Sequence, residues 1–275
     1  MRLFFIRHGE SVDNVAGLFA GSRDSPLTVH GALQARRLAS SLAQSVAITR
    51  VFSSQLQRAA KTAAAVCDAQ NEAHGVGLAV VVVPELREKD FGSAEGVGFR
   101  SGAASERASF EDAETAQSMR ARASRFLDEY IMPLLSADAA TGNDAACAIV
   151  AHGIILGVLV KVLFERNPRG GALLPASPGR SGRVMDDSGP VYPSWSNAGY
   201  LEMIISRQSA PATVGTPKLP LQLHIKRVNC TSHLENLHKT RGGIGSAAFD
   251  DRQRTMDHFF FTSASRGHEP RDASS

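Results

Sequence analysis

Cysteine is scarce in this sequence, and the three that occur, Cys67, Cys147 and Cys230, are odd in number and far apart. This pattern argues against a disulfide framework and against a thiolate metal site, both of which need grouped cysteines. We therefore predict a reducing, cytoplasmic setting in which Cys67 and Cys147 are small buried side chains.

Long apolar runs are also missing near the start of the sequence. The apolar run from Leu3 to Ile6 is four residues long and leads directly into Arg7. A membrane-spanning helix needs about 20 apolar residues, and a signal peptide also needs a longer apolar core than this one. We therefore predict no membrane partner.

Excess charge of one sign is absent as well. The net charge is +3, aromatic residues make up 6% of the chain, and no run of Lys and Arg with interleaved aromatics occurs. Nucleic acid is therefore not an expected partner. Hydrophobic residues at 43% suffice for one sizeable core,. We predict a single domain over residues 1–262 with a long loop insertion at 165–196, followed by a disordered tail at 263–275, and a homodimer is left open.

Strand and helix patterns alternate along the chain. Thr28 is the predicted N-cap of a helix that places Leu33, Leu38 and Leu42 on one face. The predicted strands are residues 3–6, 50–52, 78–83, 146–151, 200–206 and 221–228, and the predicted helices are residues 29–44, 56–69, 110–135, 154–163 and 249–261. The strand at 78–83 is expected to be buried. This alternation predicts an α/β fold, a three-layer sandwich with a mostly parallel central sheet and helices on both faces.

The tetrad Arg7-His8-Gly9-Glu10 follows the first apolar strand directly. A strand that ends in Arg-His-Gly delivers a cation and an imidazole to the carboxyl edge of the sheet, where open α/β folds build their sites. Gly9 permits close backbone approach. The pattern indicates phosphate chemistry, with a strand end that merely faces solvent as the alternative.

Further landmarks along the chain fit the same chemistry. The sequence after the tetrad includes Ser11, Asn14 and the turn from Gly21 to Thr28, and three more segments follow in order. These are Ser53-Ser54-Gln55-Leu56-Gln57-Arg58 with Thr62-Ala63, Leu86-Arg87-Glu88-Lys89-Asp90-Phe91-Gly92 with Glu95-Gly96, and Ile149-Val150-Ala151-His152-Gly153. In this order they resemble the histidine phosphatase superfamily, branch 1, with its phosphoglycerate mutase-like fold. The second half, from Trp195 onward, is similar to fungal members of that superfamily.

The chemistry makes His8 the candidate nucleophile, because a neutral imidazole is not repelled by a dianionic phosphate monoester. Arg7 and Arg58 are the candidate phosphate-binding cations, and their charges should keep His8 unprotonated. The resemblance implies that His152 donates a hydrogen bond to the phosphoryl group and that Asn14 also reaches the phosphate. A buried, satisfied histidine and a turn or cap residue are the alternatives for these last two.

Alignment with the family pattern implies that Glu88 protonates the leaving oxygen, although Glu85 and Asp90 lie within three residues and remain alternatives,. No metal and no cofactor are implied. Arg23 is a possible specificity residue, and the pocket walls are expected from its surroundings, from residues 92–118 and from the loop before Trp195. The expected partner is a phosphorylated small molecule, with a phosphoprotein left open.

Three functions share these residues. A phosphatase is favoured, because the turn from Gly21 to Leu27 is closer to the phosphatase branch than to the glycolytic mutases. A phosphoglycerate mutase-type phosphotransferase is the first alternative. A binding module without turnover is the second, and it is less favoured because Arg7, His8, Arg58 and His152 are all present.

Overall fold

The computed structural model describes residues 1–99, 110–141, 145–167, 172–173, 185–186, 189–190, 195–207, 221–239 and 243–250. Its strands are β1 (Arg2–Arg7), β2 (Arg50–Ser53), β3 (Val80–Val82), β4 (Ala146–Ala151), β5 (Ala172–Leu173), β6 (Met185–Asp186), β7 (Gly189–Pro190), β8 (Tyr200–Arg207) and β9 (Leu221–Cys230). Its helices are α1 (Val12–Ala16), α2 (Val29–Ser45), α3 (Gln57–His74), α4 (Ala116–Phe126), α5 (Met132–Thr141) and α6 (Gly153–Glu165), and the π-helical turn Leu127–Ile131 joins α4 to α5.

A seven-stranded sheet in the order β3-β2-β4-β1-β8-β9-β5 forms the middle layer. The strands β3, β2, β4 and β1 are parallel to one another, and β5 is parallel to β9. Only β8 breaks the pattern within this sheet, because it is antiparallel to both β1 and β9. The short strands β6 and β7 pair with each other. The predicted α/β fold with a mostly parallel sheet is confirmed.

Two apolar clusters cover the two faces of the sheet. Successive side chains of a strand point to opposite faces, and β1 accordingly sends Leu3 and Phe5 into one cluster and Phe4 and Ile6 into the other. Helices α4 and α6 pack on the first face, whereas α2 and α3 pack on the second. The chain therefore forms the predicted three layers.

Local signals set the ends of the site-bearing helices. Thr28 is the N-cap of α2, as predicted, and its hydroxyl accepts a hydrogen bond from the backbone N–H of Gly31,. Helix α3 ends at Gly75, which has the left-handed backbone conformation that glycine adopts readily,.

Three details of the sequence prediction are wrong. The strand at 78–83 was expected to be buried, but β3 lies at the edge of the sheet and Val82 is 52% exposed. Leu33 is exposed, so it does not share the buried face of Leu38 and Leu42. The helix predicted from residue 110 begins only at Ala116, after its N-cap Thr115.

Of the terminal helix predicted at 249–261, only Phe249 and Asp250 are described, and neither is helical. The rest of that segment, the tail at 263–275 and most of the loop at 165–196 lie outside the described residues. The single-domain organisation therefore stays a prediction. Among the helices that the structure describes, none is both long and apolar enough to cross a bilayer.

Candidate active site

The candidate active site lies where the parallel strands end. The order β3-β2-β4-β1 brings the carboxyl ends of these strands to one edge of the sheet,. Arg7 is opposite Ala151 in the register of β1 and β4, so the next residues, His8 and His152, emerge side by side. Their rings meet edge to face, with centroids 5.0 Å apart. The register of two parallel strands thus creates the histidine pair.

His8 is held in one tautomer by its own backbone. Its Nδ1 lies 2.6 Å from the carbonyl oxygen of Gly9, and because a carbonyl can only accept, Nδ1 carries the hydrogen. Burial lowers the pKa of His8 well below its usual value, and the charges of Arg58 and Arg7 lower it further,. The neutral ring therefore has its lone pair on Nε2.

His152 is held in the opposite tautomer. The Nε–H of Arg58 donates to Nδ1 of His152 over 3.2 Å, so in the neutral ring the hydrogen is on Nε2, which donates to the hydroxyl of Ser54 over 3.0 Å,. Burial lowers the pKa of His152 well below its usual value, and the charges of Arg58, Arg7 and Arg122 lower it further. Next to the basic nitrogen of His8, the site therefore holds a neutral N–H donor.

Arg58 is almost completely buried and organises the loop after α1. Its Nη1 donates to the carbonyl oxygen of Arg23 over 2.5 Å and its Nη2 to that of Gly21 over 2.7 Å. A guanidinium has five N–H groups, so Arg58 can bind these carbonyls, His152 and phosphate oxygens together. Burial lowers the pKa of Arg58, whereas Glu88 and other acids nearby raise it.

Arg7 combines one fixed contact with one unsatisfied donor. Its Nη1 donates to the carbonyl oxygen of Trp195. Its Nε is buried and has no hydrogen-bond partner among the described residues. A buried N–H without an acceptor costs about 1–3 kcal/mol. Burial lowers the pKa of Arg7, whereas the negative charge of Glu88 raises it. Arg7 and Glu88 are therefore close enough to interact electrostatically.

Glu88 caps the helix that follows His152. Its carboxylate accepts hydrogen bonds from the backbone N–H groups of Ile154 and Ile155, each over 3.1 Å, and of Lys89 over 2.9 Å. The N-terminus of α6 therefore binds this carboxylate,. A Cβ on Gly153 would meet only Trp195, so space does not require glycine there.

The two alternative acids are occupied elsewhere. Glu85 forms an ion pair with Arg125 over 3.7 Å, and Asp90 accepts the backbone N–H of Gly92 over 2.7 Å. Of the three acids, Glu88 is the one that contacts the helix behind His152.

Asn14 serves as a cap. Its side-chain oxygen accepts the backbone N–H of Ser11 over 3.1 Å, and Ser11 in turn caps Asn14, which forms a capping box for α1,. The same oxygen accepts a hydrogen bond from Asn197 over 2.9 Å, and Asn197 also donates to the carbonyl oxygen of His8. Asn14 is therefore linked to the backbone of His8 through Asn197.

Arg23 lies at the rim of the site. Its Nε is 3.5 Å from a carboxylate oxygen of Asp13, and its side chain is about half exposed. Gly96 lies directly against the guanidinium of Arg23, and its φ of +81° is in the left-handed region that favours glycine,. Arg23 therefore joins the loop after α1 to the segment that follows Glu88.

Sequence reasoning missed several residues that hold the site in place. Thr62 on α3 accepts the backbone N–H of Gly9 over 3.1 Å and donates to the carbonyl oxygen of Arg58 over 2.7 Å. Ser54 binds His152, as described above. Both are in the landmark segment quoted for the resemblance. The contacts of Thr62 depend on where α3 places it next to Gly9, and that of Ser54 depends on the pairing of β2 with β4, neither of which the segment alone reveals.

A buried ion pair also supports Glu88. The guanidinium of Arg122 binds the carboxylate of Glu114 over 2.9 and 3.0 Å, and its Nη1 donates to the carbonyl oxygens of Glu85 and Arg87, each over 2.6 Å. The pair therefore clamps α4 onto the segment that carries Glu88. Within the described part of the chain, no group of three or more His, Cys, Asp or Glu is placed to hold a metal ion.

Known proteins with similar sequences include phosphatases and phosphoglycerate mutases by name. A probable phosphatase of Schizosaccharomyces pombe is 29% identical over 261 residues, which cover 92% of this chain and 78% of the relative. An adenosylcobalamin/alpha-ribazole phosphatase of Escherichia coli is 40% identical over 95 residues, or 34% of this chain and 43% of the relative. A probable phosphoglycerate mutase of Erwinia tasmaniensis is 29% identical over 168 residues, which cover 60% of this chain and 75% of the relative.

The fold is shared with solved structures. The structure of a mycobacterial hydrolase superposes with a TM-score of 0.58 at 21% sequence identity, and the alignment covers 98% of each chain. The sequence profile of the histidine phosphatase superfamily (branch 1) matches residues 3–180, which include every predicted catalytic and phosphate-binding residue. The resemblance drawn from the four landmarks is thereby confirmed, and the chain belongs to the histidine phosphatase superfamily, branch 1.

Proposed function

We propose that this protein is a phosphatase that hydrolyses a phosphate monoester through a phosphohistidine on His8, with Glu88 as proton donor. One observation carries the proposal: the Nδ1 of His8 is fixed on the carbonyl of Gly9, which directs the lone pair of a neutral ring to Nε2. The charges of the buried Arg58 and the partly buried Arg7 both act on this ring. Such a neutral nucleophile between two cations suits a dianionic phosphate.

The first step forms the bond between Nε2 of His8 and phosphorus while the bond from phosphorus to the leaving oxygen breaks. Glu88 gives its proton to that oxygen, so the alcohol leaves neutral. In the second step water attacks phosphorus, the N–P bond breaks, and Glu88 takes one proton from the water. The products are inorganic phosphate, neutral His8 and protonated Glu88.

The protein's own cations and N–H donors support the phosphoryl group in both steps. Arg7 contributes the buried Nε–H that has no protein acceptor among the described residues. Arg58 contributes further donors, and the Nε2–H of His152, which binds the hydroxyl of Ser54 in the free protein, is proposed to turn to the phosphoryl group when substrate binds. Asn14 is proposed as an additional phosphate contact. These groups supply the positive charge for a metal-independent reaction, so a chelator is expected to leave the rate unchanged.

The proposed compartment is the cytoplasm. All three cysteines are free thiols.

Burial raises the pKa of Cys67 to about 11 and that of Cys147 to about 12, which makes both poor nucleophiles,. Neither thiol therefore competes with His8 as the group that receives the phosphoryl.

The test is phosphohistidine trapping with His8→Ala and wild type. Wild type, exposed to a radiolabelled phosphate monoester and quenched rapidly in base, should carry an acid-labile label on His8. His8→Ala should lose the label and lower kcat/KM by at least about a thousandfold, as removal of a nucleophile does. His224→Ala, on β9, is the matched control. It should keep the label and the wild-type kcat/KM.

The fate of the label distinguishes the alternative functions. A phosphatase releases it as inorganic phosphate, whereas a mutase transfers it to a phosphoglycerate, the reaction named for one relative. A protein that binds phosphate esters but never acquires the label is a binding module. Turnover that survives in His8→Ala, or that a chelator abolishes, contradicts the mechanism.

A further inference from the structure

Four phenylalanine rings meet next to the site. The ring of Phe19 is the centre of the group, with its centroid 4.9 Å from that of Phe91, 5.6 Å from that of Phe99 and 5.5 Å from that of Phe110. Phe91 and Phe110 are also in contact, at 6.3 Å. We call these four side chains the phenylalanine cluster.

The phenylalanine cluster is attached to the two segments that build the site. Phe91 lies three residues after Glu88, and Phe19 lies two residues before Gly21, whose carbonyl binds Arg58. Glu95 joins these segments, because its Oε1 accepts the backbone N–H groups of Ser22 over 2.6 Å and of Phe91 over 3.3 Å. The cluster is therefore held in a fixed position relative to Arg58 and Glu88.

The chemistry determines which side of the phosphate the cluster serves. In an in-line displacement the nucleophile and the leaving oxygen are on opposite sides of phosphorus. The leaving oxygen must lie within reach of the proton donor, so the alcohol extends from His8 toward Glu88 and beyond it. The segment directly after Glu88 carries Phe91 and the cation Lys89, whose Nζ is 5.3 Å from the ring centroid of Phe91.

Part of the apolar surface of the cluster remains exposed to solvent. Phe91 is nearly buried, but Phe99 is 44% exposed and Phe110 is 43% exposed. Aromatic rings attract other rings through offset and edge-to-face contacts, and a phenylalanine ring carries no hydrogen-bonding group for a polar alcohol. Exposed rings anchored beside a general acid are therefore suited to a planar, apolar leaving group.

We infer that the phenylalanine cluster is the leaving-group subsite and that the substrate is a phosphate monoester whose alcohol carries an aromatic ring. This inference rests on the proposed function for the position of Glu88. It predicts selectivity for the alcohol, whereas the proposed function concerns the phosphate alone.

The test compares 2-phenylethyl phosphate with ethyl phosphate, which share an alkoxide leaving group and differ in the ring. Wild type should prefer the phenylethyl ester in kcat/KM. Phe110→Ala should reduce that preference about three- to tenfold, the effect of one lost aromatic contact. Ile244→Ala is the matched control, because Ile244 is another exposed apolar side chain, and it should leave the preference unchanged.

A binding measurement separates this inference from the proposed function. The dissociation constants of 2-phenylethylphosphonate and ethylphosphonate need no turnover and can be measured by calorimetry in all three proteins. Preference in binding that Phe110→Ala reduces supports the subsite even if no phosphohistidine forms. Equal binding and equal kcat/KM of the two compounds, or a preference that Phe110→Ala leaves intact, overturns the inference while trapping on His8 still decides the mechanism.

Discussion

At the scale of single residues, the site depends on hydrogen atoms fixed by the backbone. The Gly9 carbonyl and the Arg58 guanidinium select opposite tautomers in two histidines whose ring centroids are 5.0 Å apart. Gly9 itself is required by packing, because a Cβ there would overlap the carbonyl oxygen of Gly31. The backbone that comes close to Gly9, as the sequence predicted, is therefore that of Gly31.

The electrostatics of His8 make a prediction about its titration. Burial and then the charge of Arg58 lower its pKa from the usual 6.5, so His8 should stay neutral at pH values below 6.5. Arg58→Met removes one of these causes and should move the titration upward, which NMR of the His8 ring in the free protein can follow. Arg37→Met is the control, because the Arg37 side chain donates to the carbonyl oxygen of Glu235 and is not among the charges that lower the pKa of His8. Titration of wild-type His8 at or above 6.5 contradicts the assignment.

At the scale of elements, α4 holds the acid through one buried ion pair. Burial raises the pKa of Glu114, but the hydrogen bonds and charge of Arg122 outweigh it and hold that pKa below its usual value. Arg87 and the backbone N–H of Asp90 bind the same carboxylate. The segment around Glu88 therefore has its position set from α4 as well as from α6.

Breaking this pair should cost much more than breaking an exposed one. Arg122→Met leaves the Glu114 carboxylate buried without its main partner, which we expect to lower the free energy of unfolding by about 3–5 kcal/mol. Arg120→Met, two residues away on α4, breaks the exposed pair with Glu165 and should cost at most about 1 kcal/mol. Urea unfolding measures both, and equal losses in the two variants contradict the clamp.

These elements also show what sequence patterns can and cannot predict. His8 and His152 each follow an apolar run, and because parallel strands end at one edge, their meeting could be predicted. The exposure of β3 could not, because its apolar composition fits a central strand and its edge position depends on strand order. The clamp from Arg122 to the carbonyls of Glu85 and Arg87 depends likewise on how α4 packs, which its own sequence does not specify.

At the scale of the whole molecule, the sheet separates two apolar clusters and ends in a group of buried polar side chains. His8 and His152 are both nearly inaccessible to solvent. Burial lowers the pKa of both rings, and neighbouring cations lower it further. A site arranged to keep two histidines neutral places a cost on the folded state that depends on pH.

The sign of that dependence follows from proton binding. The unfolded chain has histidines with the usual pKa of 6.5, so below that pH it binds protons that folded His8 and His152 exclude. The free energy of unfolding is therefore unaffected by these two groups above pH 6.5 and falls as the pH decreases below it, by about 1.4 kcal/mol per pH unit for each histidine. His152→Asn should remove one share of this slope, and His238→Gln, at an exposed position, is the matched control. Urea unfolding between about pH 7.5 and pH 5.5 measures the slope in the range where histidines titrate and most carboxylates do not, and a free energy of unfolding that is constant over this range contradicts the burial of two neutral histidines.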